Sequence, residues 1–138
     1  MGPMSEEDRQ EFMAGLHVGV IGIADDDRGP LTIPVWYSYE PGGDVIVLMA
    51  RDSRKGRLIE ESGRFSMCAQ QEELPYKYVM AEGPVTATRD ATYDDTLAMA
   101  TRYLGDELGK GYADSMASDS SSVYSMTPQR WYSTDYSG

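Results

Sequence analysis

The residues of this chain whose types could do chemistry gather in one place. In MARDSRKGRLIEE, Met49 to Glu61, four cations (Arg51, Arg54, Lys55 and Arg57) fall within seven positions. They are a third of the 12 Lys and Arg in a 138-residue chain of formal net charge −11. The stretch lies where a β-branched run hands over to a helix that Ser53 can cap. The first turn of such a helix leaves N–H groups unpaired and carries roughly half a positive charge, which stabilises an anion. Ser53 adds a hydroxyl, and Arg51, Arg54 and Lys55 add full charges, a set that would hold a phosphate. The alternative is the solvated face of a surface helix, which Lys/Arg-rich turns commonly are. Against it, cations at a helix start oppose the macrodipole, and a helix needing only solubility would carry them at its end.

Two further stretches could line a site. In IPVWYSY (33–39) a proline interrupts a strand, leaving backbone groups unpaired beside the flat faces of Trp36 and Tyr37. That suits a planar heterocycle, while a core role for Trp36 is the ordinary reading. In EELPYKYVMAEG (72–83), alternation puts Tyr76 and Tyr78 on one face and Lys77 on the other. They would line a substrate mouth or simply belong to a strand.

The exclusions are as informative. His17 is the sole histidine, so neither a His-based metal cluster nor a Ser-His-Asp triad is available. Cys68 is the only cysteine, expected as a small buried residue, and it admits no internal disulfide. Neither glycine-rich phosphate motif occurs. The acidic balance repels nucleic acid. An enzyme this poor in candidate catalytic acids, bases and nucleophiles is expected to borrow its reactivity from a cofactor.

The elements that must position these residues are short. Ser5, with Asp8 three residues on, opens a short helix over 5–15 in a capping-box pattern, and LHVGVIGIA (16–24) reads as a buried strand containing His17. LTIPVWYSYE (31–40) forms a hairpin with DVIVLMA (44–50), and Pro34 makes the first of these an edge strand or a broken one. Ser53 caps RKGRLIEES, which stops at Gly63. Strands follow at 64–71 and 76–89, the second bent at EGP. A helix at 91–105 carries Leu97, Ala100, Tyr103 and Leu104 at helical spacing. An irregular continuation and a Ser-rich loop at 113–122 lead to a closing strand, 122–133. The expected fold is mainly β: a six-stranded antiparallel split β-barrel with inserted helices, since closure removes exposed edges.

At this length the whole chain, 1–138, is one domain, with residues 1–4 set aside as a loose end. The acidic opening MGPMSEEDRQ lacks a signal-peptide layout, and no apolar run reaches the length of a membrane span, so a cytoplasmic protein is expected.

An opening helix is followed in order by GVIGIADDDRGPLTIPVWYSYE, VIVLMARDSRKGRLIEE, RFSMCAQQEELPYKYVMAEGPV and a closing TPQRW. Over residues 6–132 this resembles the pyridoxamine-phosphate-oxidase-like split β-barrel family, more narrowly its flavin/deazaflavin oxidoreductase branch. The resemblance implies a homodimer with the cofactor in a groove at the subunit interface. It implies that Arg51, Ser53, Arg54 and Lys55 hold the cofactor phosphate, that the main chain at Val35, Trp36 and Tyr37 lies along its ring system, and that Tyr76 and Tyr78 line the groove. The family uses FMN or the deazaflavin coenzyme F-420. SRK together with PVW looks more like the deazaflavin users, whose members transfer a hydride to or from a small organic substrate. A non-catalytic flavin- or haem-binding carrier is the rival on the same fold. Trp131 and Tyr132, following a proline near the end of a strand, are expected at the dimer contact, with a core role for Trp131 as the alternative.

Overall fold

The computed structural model describes residues 1–138. In chain order the elements are α1 (Glu6–Ala14), β1 (Gly19–Ile23), β2 (Leu31–Val35), β3 (Ser38–Tyr39), β4 (Val45–Met49), α2 (Arg54–Ser62), β5 (Arg64–Gln71), β6 (Lys77–Asp90), α3 (Tyr93–Leu104), α4 (Asp106–Ser115), β7 (Ser122–Met126) and β8 (Arg130–Asp135). Residues 1–4 lie along β8: Gly2 bridges Asp135, and Met4 packs against the core. No helix is long and apolar enough to cross a membrane.

The strands pair antiparallel in the order β2-β1-β5-β6-β7-β4-β3, with β8 also on β6. The long β6 belongs to two half-sheets. Its first half, Lys77 to Glu82, lies between β5 and β8, and its second half runs along β7. Between them the register slips at Val85/Ala87, a bulge that bends the strand. Gly83 sits at the crossing, where a Cβ would lie 1.9 Å from the Thr127 carbonyl oxygen. The expected bend at EGP therefore has a steric origin as well as the proline.

β2 and β3 occupy opposite ends of the strand order, yet only Trp36 and Tyr37 separate them in sequence. Three chain steps span at most about 11 Å, so the sheet curls until its two edges nearly meet. This is a split barrel, with eight strands rather than six. Two expected strands each break in two: 31–40 at Trp36–Tyr37, and 122–133 at Thr127–Gln129. Pro34 falls in the edge strand β2, where its missing N–H costs nothing.

Alternation sorts the five-stranded half-sheet into two rows. Ile33, Ile21, Met67, Ala81 and Trp131 are directly paired neighbours on the inner face. Pro34, Val20, Cys68, Met80 and Tyr132 are their counterparts on the outer face. Trp131 is therefore packed against the core, edge-on to Tyr39, whereas Tyr132 is 68% exposed. Cys68 is only half-buried, because it belongs to the outer row. His17 precedes β1 instead of lying within it: its ring stacks on Phe12 and its Nε2 bonds the Phe12 carbonyl at 3.0 Å. Burial of that ring lowers its pKa.

The seam between β2 and β3 is held from α3. Thr92 and Asp95 form a reciprocal capping box that starts this helix, and Arg89 pairs with Asp95. At its other end, Arg102 donates from Nε to the Tyr37 carbonyl at 3.1 Å. It also donates to the Ala14 and Gly15 carbonyls at 3.3 and 2.9 Å. The latter are orphan acceptors at the end of α1, where a cation is favoured. The Tyr103 hydroxyl accepts the Tyr37 N–H at 3.0 Å and lies 2.6 Å from the His17 carbonyl. Arg102→Ala strips charge-assisted bonds from three carbonyls at once and should cost about 2–3 kcal/mol. Urea denaturation should show a lowered midpoint with an unchanged slope, and a midpoint within error of wild type would refute the clasp.

Candidate functional site

A cavity of about 1040 Å³ opens beside the seam. One wall is the β4–α2 turn, with Ala50, Arg51, Asp52, Ser53 and Lys55. Val35 and Trp36 supply the seam side, and Thr96, Met99, Tyr112 and Met116 the side built by α3, α4 and the residue after it. Asp90, Ser122 and Met49, paired across three adjacent strand ends, also line it, followed by Ser118 to Ser121.

The β4–α2 turn is tight for a reason legible in its atoms. The Ser53 hydroxyl donates to the Ala50 carbonyl at 2.5 Å and accepts the Gly56 N–H at 3.1 Å. It is engaged within the turn as a cap, so it shapes the site without offering a proton to a ligand. A Cβ on Gly56 would lie 2.3 Å from the Ala50 oxygen and 2.9 Å from the Arg51 Cα, so only glycine lets α2 begin this close to β4. The N–H groups of Arg54 and Lys55, in the first helical turn, have no acceptor in the chain.

The four cations divide sharply. Arg54 is paired with Asp25 and does not line the cavity. Arg57 bonds the Asp52 carbonyl at 2.9 Å. Arg51 lines the cavity and sits 3.6 Å from Glu60, both side chains being 51% exposed, an arrangement worth little to stability. Lys55 lines the cavity with no carboxylate within 4 Å. Three carboxylates, Asp52, Asp90 and Asp119, share the lining.

Of the residues expected at the site, the structure brings together Val35, Trp36, Arg51, Ser53 and Lys55. Tyr37 is a core residue: its side chain is fully buried, and its hydroxyl donates to the Met13 carbonyl at 2.6 Å. Burial, with Tyr103 nearby, pushes its pKa well up. Its N–H and C=O are held by Tyr103 and Arg102, so its main chain is not free for a ligand edge. Tyr76 and Tyr78 line a separate depression of about 450 Å³ with Gln70, Lys77 and Tyr136. The Tyr78 hydroxyl there accepts from Thr134 at 3.0 Å.

Trp36 is not an open platform either. Tyr103 stacks on it almost parallel, at 5.1 Å and 7°, and Tyr112 meets it at 5.2 Å and 55°. Tyr112, Met99, Thr96 and Asp90 are among the lining residues that the sequence did not single out. Thr96 and Met99 stand three residues apart on α3, a second face beside the one read as apolar through Leu97, Ala100, Tyr103 and Leu104. The Ser-rich stretch, expected as a mobile loop, contributes part of the cavity wall.

The sequence pattern of the pyridoxamine 5'-phosphate oxidase family matches residues 5–135, and the chain belongs to that family. Among solved structures it is similar to a conserved hypothetical protein, Rv2991, from Mycobacterium tuberculosis. That match has a TM-score of 0.75 at 18% identity, over 98% of this chain and 87% of the other. An F420 reductase gives 0.68 at 16% identity, over 89% and 94%. A FAD-binding protein from Mesorhizobium loti gives 0.62 at 14% identity, over 94% and 92%. At these identities the likeness is one of fold. No curated protein matches the sequence.

Gly56→Ala should force α2 away from β4 and cost about 1–3 kcal/mol, the usual range for overpacking, because the clashing atoms are backbone. Thermal unfolding measures this directly. A stability equal to wild type would mean the turn is looser than its contacts indicate.

Proposed function

We propose that the cavity holds a flavin-type cofactor, coenzyme F-420 in the first reading and FMN in the second, and that the chain transfers a hydride between it and a small organic substrate. The observation that carries this reading is the cavity end at α2. Two free N–H groups, the unpaired Lys55 ammonium and Arg51 converge there in a chain that is acidic elsewhere. These donors fit a phosphate. Arg54 would contribute through its N–H, its guanidinium being held by Asp25. Ser53 would act by fixing the turn, and Val35 and Trp36 would flank the ring system. When bound, the cofactor supplies the hydride chemistry; the chain orients it and excludes water. Family membership, with an F420 reductase and a FAD-binding protein sharing the fold, supports the cofactor class.

We also propose that the chain works as a homodimer. Its outer row of Pro34, Val20, Cys68, Met80 and Tyr132 is left partly open by the chain, with Val20 37% and Tyr132 68% exposed and Cys68 and Met80 half-buried. The cavity reaches this face through Val18 and Pro34, and Gln70 and Tyr78 of the second depression share it. A second copy seated there would close the open side of the site and bring Tyr76 and Tyr78 to a groove. Light scattering should give twice 15.3 kDa for wild type and a shift toward monomer for Tyr132→Glu. A wild-type monomer at micromolar concentration removes this proposal.

Lys55→Ala should weaken F-420 or FMN binding about ten- to a hundredfold, the loss of one charge-assisted bond, with stability unchanged. Added salt should weaken wild type more than the variant. Equal affinities in a titration at two ionic strengths would remove Lys55 from the site. Turnover of the reduced coenzyme with quinones and unsaturated lactones then separates enzyme from carrier: binding with no reduction of any acceptor favours the carrier.

A further inference from the structure

Arg51 lines the cavity with a carboxylate behind it. Its Nε lies 3.6 Å from Glu60, in the last turn of α2, where the macrodipole disfavours negative charge. Helix stability gives no reason for a carboxylate at that position. Tyr124 shares the core with Leu58 and Ile59 of α2, and it pairs with Val47 of β4 and Thr88 of β6. Its side chain is fully buried, and its hydroxyl has two polar neighbours, Glu60 and Ser122. Burial, and after it the Glu60 charge, raises the pKa of this phenol, which keeps it a donor at neutral pH. The contact with Glu60 nevertheless falls short of hydrogen-bond geometry. Such a hydroxyl costs stability, and phenylalanine would fill the same space without it. Ser122 lines the cavity in its turn, so Arg51, Glu60, Tyr124 and Ser122 form an arc that leaves the cavity wall and returns to it.

Resting on the reading of the α2 end as the phosphate end, we infer that Glu60 is a positioning residue that exchanges partners when an anion binds. In the structure its carboxylate holds Arg51 beside α2. A phosphate in the cavity draws the guanidinium away, and the carboxylate turns to the Tyr124 hydroxyl. Each step has a physical reason. The Arg51–Glu60 pair is long and half-exposed, so parting it costs little. A phosphate offers Arg51 a shorter, charge-assisted contact. The released carboxylate then stands beside a core of low dielectric, where an unpaired charge is costly, and Tyr124 supplies an O–H donor already fixed by burial. Glu60 thus lowers the affinity for an anion and Tyr124 restores it. The grip of the site on phosphate is set from behind its wall.

The test titrates inorganic phosphate, F-420 and FMN calorimetrically into wild type, Glu60→Ala, Tyr124→Phe and the double variant. Glu60→Ala should tighten binding about two- to fivefold, because Arg51 no longer has a competing acceptor. Tyr124→Phe should weaken it about two- to tenfold, since the released Glu60 finds no donor. In the Glu60→Ala background the same Tyr124→Phe change should alter affinity by less than about twofold, because the hydroxyl then has no carboxylate to serve. A purely structural role for Tyr124 predicts equal weakening in both backgrounds, and that result overturns the exchange. So does a Glu60→Ala protein that binds no more tightly than wild type. Lys55→Ala tells the two readings apart. If it weakens binding while the Glu60 and Tyr124 variants match wild type, the phosphate end stands and the exchange falls. If wild type binds neither phosphate nor F-420 nor FMN, both fall together.

Discussion

The constraint on which this structure depends is the unpaired backbone at Trp36–Tyr37. A sheet that curls until β2 approaches β3 without pairing to it must satisfy the main-chain groups of the joint some other way, since a buried orphan costs about as much as a lost hydrogen bond. The solution comes from a helix in another part of the chain. Arg102 takes the Tyr37 carbonyl, and the Tyr103 hydroxyl takes its N–H. The same guanidinium binds the last carbonyls of α1, so one side chain ties three segments at a single point. The barrel stays split because its seam is closed by side chains in place of a ladder.

That arrangement explains where the sequence was legible and where it was not. Elements governed by their own residues were read to within a residue or two. α2 runs from Arg54 to Ser62 between its Ser53 cap and Gly63, β5 covers 64–71, and β6 bends beside Gly83. The strand breaks were missed because their causes are not local. The bonds that hold Tyr37 out of a continuous 31–40 strand come from residues 65 and 66 positions away. Nothing in LTIPVWYSYE announces Arg102. The break at Thr127–Gln129 is similar in kind: Gln129 and Thr127 donate their N–H groups back to Glu82 and Pro84 at the bend of β6.

The candidate site divides along the same line. A cluster of cations at a helix start is visible in sequence, and so is the helix geometry that makes it an anion site. Which cation remains free is not visible, because Asp25 and Glu60 reach Arg54 and Arg51 only after folding. Ser53 shows the limit of reading a residue by type. One hydroxyl cannot both cap a helix through the Gly56 N–H, with its proton on Ala50, and donate to a ligand. Capping prevails because it operates whether or not a ligand is present. Tyr37 and Trp36, adjacent in sequence, separate for a plainer reason: neighbours on an extended chain face opposite ways, and one of them meets the core.

The helical pair α3–α4 therefore has two roles that physics joins. Its last turn of α3 clasps the seam, and one helix further on, Tyr112 forms the far wall of the cavity. Trp36 links the two, since Tyr103 stacks on it while Tyr112 leans against it. A change that loosens the Tyr103 contact would move the aromatic wall, because closely packed rings shift together. A change at Tyr112, partly exposed and bonded to nothing by its hydroxyl, leaves the seam intact. Residues that hold the barrel and residues that line the cavity are thus separated by only a single aromatic layer, and the cavity wall can change on its outer side without disturbing the bonds that keep it open.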